Sequence, residues 1–209
     1  RKDFYRNQQL VETCWPKLDC APKNHVAVII AELSIPQCKM YRVDNKKIIL
    51  ENLGYTVYII DWHEQSEAIS YLQIADYVIF YRVPYTSIVA DYYKEADRLH
   101  LTKFYDIDDL IFDIPLYKKY LKQAKIKLNH LQLKQLLEGA QYYREAILHA
   151  DVFLTSTKQI LDVYNSINEQ KKSFLLQNGM VKDIFKFRTT KKNFTKKDIR
   201  IFYGAGSNT

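Results

Sequence analysis

Four aspartates follow a short apolar stretch in the middle of the chain. The segment Lys103–Asp113 reads KFYDIDDLIFD and carries Asp106, Asp108, Asp109 and Asp113. Ligands of an open α/β sheet bind at the carboxyl ends of its strands, and carboxylates crowded there need a bound cation, a nearby Arg or Lys, or a substrate hydroxyl as a partner. Aspartate is also favoured at helix N-caps and in solvated loops, so a purely structural interpretation stays open.

Arginine follows tyrosine twice, in Tyr-Arg-Val sequences at residues 41–43 and 81–83. We expect Arg42 at the start of the helix after the first strand and Arg82 at the end of the third strand, both at the sheet edge that carries the aspartates. Guanidinium groups there could hold a diphosphate through paired hydrogen bonds, or they could neutralise the aspartates as structural ion pairs. The sequence favours neither role over the other.

The elements that must position these residues alternate between strand and helix. Apolar runs predict six strands, at residues 25–33, 55–61, 77–82, 103–107, 151–155 and 173–177. Helical patterns between them cover about 39–53, 66–74, 84–100, 116–150 and 158–164. This alternation predicts an α/β fold with a doubly wound, mostly parallel sheet and helices on both faces.

Four residues are expected to mark helix ends. Gly54 is predicted to end the first helix at a C-cap position, and Pro84 to lie in the first turn of the third helix. Gly139 is a predicted break in the long helical region, and Ser156 a predicted cap of the last helix.

Composition narrows the class of protein. The 209 residues are 47% hydrophobic and 26% charged, as in ordinary globular domains, and no apolar run is long enough for a transmembrane helix. The amino terminus lacks the apolar core of a signal peptide. Cys14, Cys20 and Cys38 have neither disulfide nor zinc-site spacing, so free thiols in a reducing compartment are expected. These features indicate a cytoplasmic location.

Both ends of the chain differ from its centre. Residues 1–24 are interpreted as a leader segment, and a start at Arg rather than Met suggests a chain cut from a longer one. Part of the net charge of +7 lies in the basic run Lys186–Lys197. This run is either a solvated linker or a peripheral contact with an anionic membrane; no nucleic-acid module accompanies it, so nucleic acid is not expected as a partner.

A predicted strand, Asp198–Tyr203, is followed by a loop that contains glycine and hydroxyl groups. Such a loop is how a phosphate-binding turn begins, which predicts the first strand of a second α/β domain. By contrast, Pro36 and Lys39 stand where a dinucleotide-binding fold has its glycine-rich turn, which argues against an NAD or FAD enzyme. The P-loop, the serine nucleophile elbow and the zinc-protease motif are all absent from the sequence.

Four segments, taken in order, resemble the N-terminal half of a family-4-type glycosyltransferase with the GT-B architecture. They are YDIDDLIFD, ADVFLTSTKQIL, FLLQNGM and IRIFYGAGSNT. The resemblance covers about residues 25 to 209. It implies transfer of a sugar from a nucleotide-diphosphate donor to an acceptor hydroxyl, in a cleft between two Rossmann-like domains. Such enzymes are usually retaining and need no metal or other cofactor. It also implies a role in glycan or polysaccharide biosynthesis, with a carbohydrate or lipid-linked acceptor.

The resemblance divides the chain into the leader (1–24), a Rossmann-like acceptor-binding domain (25–185), and a basic linker with the first strand of a truncated donor-binding domain (186–209). Asp108 or Asp109 would orient or deprotonate the acceptor hydroxyl, with Asp106 as a third catalytic candidate. The candidates for binding donor phosphate or acceptor are Arg42, Arg82, Lys39, Gly204, Gly206, Ser207, Asn208 and Thr209. The loop at residues 34–39 departs from the family's glycine-rich turn, and without a donor-side domain the isolated chain is expected to be inactive.

Two other interpretations remain open. Asp106-Ile107-Asp108 also matches the D-x-D motif of a metal-dependent GT-A glycosyltransferase, in which two carboxylates hold Mn or Mg on the donor phosphates. Alternatively, the chain is a non-catalytic α/β binding module, with the aspartates as helix caps and the basic linker as its contact surface.

Overall fold

A computed structural model describes residues 25–123, 125 and 128–179. Six strands form one sheet: β1 Val26–Ala31, β2 Thr56–Asp61, β3 Tyr77–Tyr81, β4 Thr102–Ile107, β5 Val152–Thr155 and β6 Lys172–Leu175. All neighbouring pairs are parallel, in the order β2-β1-β3-β4-β5-β6. The leader, the basic linker, the predicted strand at 198–203 and the loop after it lie outside the described residues.

Helical segments connect the strands: α1 Pro36–Lys39, a π-helical turn Met40–Asp44, α2 Asn45–Asn52, α3 Gln65–Leu72, α4 Ser87–Arg98, α5 Ile114–Gln123, α6 His130–His149 and α7 Lys158–Ile167. The prediction of an α/β fold with a parallel sheet is therefore confirmed. Gly54 follows α2 with a φ of 86°, in the left-handed region that favours glycine, as its predicted position after the helix requires.

The predicted break at Gly139 is wrong. Gly139 lies inside α6, and the long helical region is interrupted between Gln123 and His130 instead. The reason is a capping box at the start of α6: the Asn129 side chain accepts a hydrogen bond from the backbone N–H of Gln132 (2.8 Å), and the Gln132 side chain accepts one from the backbone N–H of Asn129 (3.0 Å). These reciprocal bonds begin a new helix at His130.

Two predicted helix starts are displaced along the chain. Pro84 lies before α4 rather than in its first turn, and Thr157 rather than Ser156 caps α7. A cap side chain must reach the backbone N–H three residues ahead, and Thr86 and Thr157 occupy that position in α4 and α7.

The two faces of the sheet are covered unequally. β2 lies on one side of β1, and every later strand lies on the other side. Right-handed crossovers therefore place α1, the π-helical turn and α2 on one face, and α3, α4, α6 and α7 on the opposite face. The buried clusters agree, because the larger contains Leu72, Tyr93, Ala146 and Tyr164 from the second set, whereas Val43 is the buried helical residue of the smaller.

Aromatic stacking joins α7 to the larger cluster. The Phe153 side chain of β5 is 1% exposed and stacks on Tyr164, with ring centroids 4.0 Å apart, while Phe112 meets its edge at 5.8 Å. Such a side chain contributes through both its buried area and its ring contacts.

We expect the Phe153→Ala variant to lose about 3–5 kcal/mol of unfolding free energy, because it leaves a cavity between two rings. Urea unfolding followed by circular dichroism measures the loss. The Leu131→Ala variant is the control: this side chain is 62% exposed on α6, so its substitution should cost no more than about 0.5 kcal/mol. Equal losses in both variants would contradict this account of the core.

Candidate functional site

The carboxyl edge of the sheet contains a topological switch point. β1 and β3 are neighbours, but the chain leaves β1 toward α1 on one face and leaves β3 toward α4 on the other. Crevices at such points are where open α/β sheets bind ligands. Arg82 follows β3 directly, and Asp108 and Asp109 follow β4, so the fold brings these three predicted residues together here.

Four side chains form what we call the edge cluster: Tyr81, Arg82, Asp108 and Asp109. The Arg82 guanidinium pairs with the Asp109 carboxylate, and its Nη1 lies 3.9 Å from Asp108 Oδ1. The Tyr81 hydroxyl donates a hydrogen bond of 3.1 Å to the same Asp108 oxygen. The side chain of Asp109 is 45% exposed and that of Asp108 is 16% exposed, so solvent or a ligand reaches the cluster from one side.

Burial and neighbouring charges alter proton affinities in the edge cluster. Burial, reinforced by the negative charges of Asp109 and Asp106, raises the pKa of Asp108. Burial and the Asp108 charge also raise the pKa of Tyr81, which keeps its hydroxyl a donor. Asp108 is therefore a partly exposed carboxylate with increased proton affinity at the carboxyl edge of the sheet, and increased proton affinity is a property of general acids and bases.

Burial alone would lower the pKa of Arg82, but the attraction of Asp109 and Asp108 raises it.

The backbone of Arg82 is also strained. Its φ is 51°, in the left-handed region that non-glycine residues rarely adopt. Of the described residues, His100 and Lys125 share this property, and both lie just after a helix end, where it is common. Arg82 instead lies directly after a strand at the switch point. Strain held at such a position is typical of functional sites.

A second ionic group, the buried triad of Arg42, Lys46 and Asp106, lies beneath the edge cluster. The side chains of Arg42 and Asp106 are 1% and 0% exposed. Arg42 Nη2 pairs with Asp106 Oδ1, and Arg42 Nε lies 3.2 Å from Oδ2. Lys46 Nζ pairs with Oδ2 and also donates to the backbone carbonyl of Arg42. Both oxygens of Asp106 are thus engaged by cations.

Arg42 also holds the end of β6. Its Nη1 donates to the Leu176 carbonyl at 2.6 Å and to Asn178 Oδ1 at 3.1 Å. The structure therefore places Arg42 in the ion-pair arrangement that was one of its two predicted roles. Burial lowers the pKa of Lys46, and the charge of Arg42 acts in the same direction against the attraction of Asp106.

The remaining predicted residues lie apart from these groups. Lys39 Nζ lies 2.6 Å from Asp44 Oδ1, within its own helical segment. Asp113 accepts a hydrogen bond of 2.8 Å from the backbone N–H of Leu116, so it acts as a cap for α5, as the structural interpretation predicted for such aspartates. Outside the described residues lie Gly204, Gly206, Ser207, Asn208 and Thr209.

Sequence reasoning missed Lys46, Tyr81 and Tyr143. Lys46 lies four residues after Arg42, a spacing that places two side chains on one helix face, and this signal could have identified it. Tyr81 directly precedes Arg82 in the predicted third strand, where the sequence gives it no role of its own. Tyr143 comes from α6, and its hydroxyl contacts Arg82; its position depends on packing between distant segments, so no local pattern points to it.

Within residues 25–123, 125 and 128–179, no group of three or more His, Cys, Asp or Glu side chains is arranged to hold a metal ion. In the same part of the chain, no helix combines the length and the apolar character needed to cross a membrane.

Comparison with known proteins gives no family. The sequence matches no protein-family model, and no curated protein is significantly similar to it.

We expect the Asp106→Asn variant to lose about 3–5 kcal/mol of unfolding free energy, because Arg42 and Lys46 would remain buried without a counter-charge. Urea unfolding measures the loss. The control is Asp44→Asn, which breaks a half-exposed ion pair with Lys39 and should cost less than about 1 kcal/mol. A cost for Asp106→Asn no larger than that of the control would contradict a structural role for the triad.

The raised pKa of Asp108 predicts a pH dependence of stability. Above its unfolded pKa of about 3.9, the unfolded chain releases a proton that the native state still holds. The contribution of Asp108 to the unfolding free energy therefore falls as pH rises from the unfolded to the folded pKa. The Asp108→Asn variant removes this loss, so its stability relative to wild type should rise with pH across that window. Urea unfolding of both proteins between about pH 3.5 and 7 measures the trend; a flat or falling difference would contradict it.

Proposed function

We propose that this chain is the acceptor-side half of a GT-B glycosyltransferase, which transfers a sugar from a nucleotide-diphosphate donor to a carbohydrate or lipid-linked acceptor. The observation that carries the proposal is Asp108: a partly exposed carboxylate with a raised pKa, beside Arg82 at the switch point of the sheet. The order of the sequence motifs supports the same assignment.

Asp108 acts on the acceptor in this proposal. Tyr81 and Arg82 both approach Oδ1, so we assign Oδ2 to the acceptor hydroxyl. The acceptor oxygen forms a bond to the anomeric carbon as the bond from that carbon to the diphosphate breaks. The hydroxyl proton passes to Asp108, and the nucleoside diphosphate leaves. The raised pKa of Asp108 suits this step, because a general base works best when its pKa lies closer to the pH of the reaction.

In this proposal Arg82 binds the diphosphate of the donor. Its guanidinium is already paired with Asp109, whose side chain is 45% exposed, so a phosphate that enters the crevice could exchange with that carboxylate. A cation that is fixed before the reaction stabilises the charge that develops on the leaving diphosphate. Asp109 then acts as the resting partner of Arg82, and Asp106 serves the architecture of the site through the buried triad.

The geometry supports this assignment over the metal-dependent alternative. Asp106 would be one of the two metal ligands in a D-x-D motif, but both of its oxygens are engaged by Arg42 and Lys46. A metal ion would have to displace a buried cation, which is costly in free energy.

The test uses the longer protein that this proposal predicts, with a donor-side domain after residue 209. It is incubated with a panel of nucleotide-diphosphate sugars and glycan acceptors, and release of nucleoside diphosphate is the readout. We expect release with at least one donor. The Asp108→Asn variant should lose about 10²–10⁴-fold of the rate, the usual contribution of a general base. Asp91→Asn, which changes a 49% exposed carboxylate on α4, should keep wild-type activity.

Three outcomes would overturn the proposal. Full activity in the Asp108→Asn variant would remove its catalytic role. Activity that is abolished by a chelator and restored by Mn²⁺ would indicate the metal-dependent reaction. Absence of release with every donor, from a protein shown to be folded, would favour the non-catalytic binding module.

A further inference from the structure

Within the described residues, one face of the sheet is only partly covered over β3, β4, β5 and β6: Tyr77, Phe104 and Leu154 are half-buried on it. Helices α1 and α2 and the π-helical turn between them are the elements that the crossovers place on this face. They cover β1, β2 and the carboxyl ends of β3 and β4, where Tyr81 and Asp106 are buried. Parallel sheets are normally covered on both faces, since their strands are apolar on both. Here Phe174 of β6 is 55% exposed and Ile49 of α2 is 50% exposed. The described part of the chain therefore leaves an apolar surface for something else to cover.

This surface contains a groove with a volume of about 240 Å³. The groove crosses the strands from the start of β3 toward the end of β6, beside α2. The apolar residues that form its walls include Ile49, Leu50, Tyr77, Phe104, Leu154 and Leu176. Lys46 also lines it, but its ammonium group is directed into the buried triad, so the groove suits apolar side chains.

The segment that follows β6 is held beside the groove by hydrogen bonds. Leu176 forms part of the wall, and Arg42 fixes the segment through the Leu176 carbonyl and the Asn178 side chain. The Asn45 side-chain amide donates a hydrogen bond of 3.0 Å to the Gly179 carbonyl. Asn45 is the first residue of α2, the helix that forms one wall. Gly179, the last described residue before the segment at 180–187, is therefore held beside the groove.

The eight residues that follow have the composition of an apolar ligand. Residues 180–187 read MVKDIFKF, and their apolar members are Met180, Val181, Ile184, Phe185 and Phe187. At about 100° per residue these five lie on one side of a helical wheel, and the three charged residues lie on the other. A cavity of about 150 Å³ holds one benzene ring, so this groove has room for at least one phenyl ring.

We propose that residues 180–187 of this chain dock in the groove and complete the cover of the sheet. Burial of apolar side chains from this segment provides the driving force, and the hydrogen bonds at Leu176, Asn178 and Gly179 set where the segment starts. The proposal does not rest on glycosyl transfer. In this arrangement the α/β domain extends past β6 and includes residues 180–187.

The test is hydrogen–deuterium exchange on the full 209-residue chain, followed by mass spectrometry. We expect the backbone amides of residues 180–187 to be protected in the wild type. In the Ile49→Asp variant, which puts a charge into the wall, their exchange should rise by about tenfold or more. Leu131→Asp is the matched control, because it places the same charge at an equally exposed apolar position on α6 and should leave residues 180–187 unchanged.

A second pair of variants changes the carboxyl-terminal segment instead of the groove wall. Phe185→Ser should uncover the groove and raise the fluorescence of the apolar dye ANS severalfold, whereas Phe194→Ser, outside the proposed segment, should not. Undiminished amide protection of β1, β3 and β4 in every variant shows that the sheet stays folded, so that loss of protection at 180–187 is specific.

Three results would overturn the proposal. The first is exchange of residues 180–187 in the wild type that is as fast as in Ile49→Asp. The second is protection that appears only at high protein concentration together with a dimer in sedimentation velocity, which would assign the groove to a second copy. The third is a loss of protection in Ile49→Asp at residues 1–24 rather than 180–187, which would assign the groove to the amino-terminal segment.

Discussion

The arrangement at the carboxyl edge depends on one buried carboxylate that is shared by two cations. Asp106 is inaccessible to solvent and binds both Arg42 and Lys46. Removing these charges from water is unfavourable, and only a nearly complete set of hydrogen bonds can offset that cost. The structure provides it: every buried side-chain nitrogen and oxygen atom in the described part of the chain has a partner. Because Arg42 also binds the end of β6, this one group fixes a helix, the central strand β4 and an edge strand relative to one another. The triad therefore fixes the elements next to the edge cluster relative to one another.

Much of the fold could be predicted from the sequence because strands that are buried on both faces produce continuous apolar runs. The six predicted strands each overlap an observed one, and the alternation with helices predicted the parallel sheet. Helix ends were less predictable. Gly139 has a weak intrinsic helix propensity, yet it lies inside α6, because the reciprocal bonds of Asn129 and Gln132 determine where that helix starts. The incomplete cover of one face could not be predicted either, because it follows from strand order, which no local pattern specifies.

The candidate site was predictable to a similar extent. Polar residues at the ends of predicted parallel strands identified Arg82, Asp108 and Asp109, because the carboxyl ends of such strands meet at one edge. The sequence could not divide the three aspartates into a buried group and an exposed group. Asp106 and Asp108 are two residues apart, yet one is paired with two cations in the interior and the other is partly exposed at the edge of the sheet. That division depends on Arg42 and Lys46, which reach Asp106 only through tertiary packing.

The π-helical turn Met40–Asp44 has a consequence for how this chain can change in length. Its wider turn allows the Arg42 carbonyl to accept a hydrogen bond from the Lys46 side chain while both cations face Asp106. Deletion of one residue between them would favour regular α-helical bonding, but it would rotate one cation by about 100° relative to the other. The buried carboxylate would then lose a partner. Related chains should therefore tolerate substitutions in this turn more readily than insertions or deletions, since its length is determined by charge neutralisation in the interior.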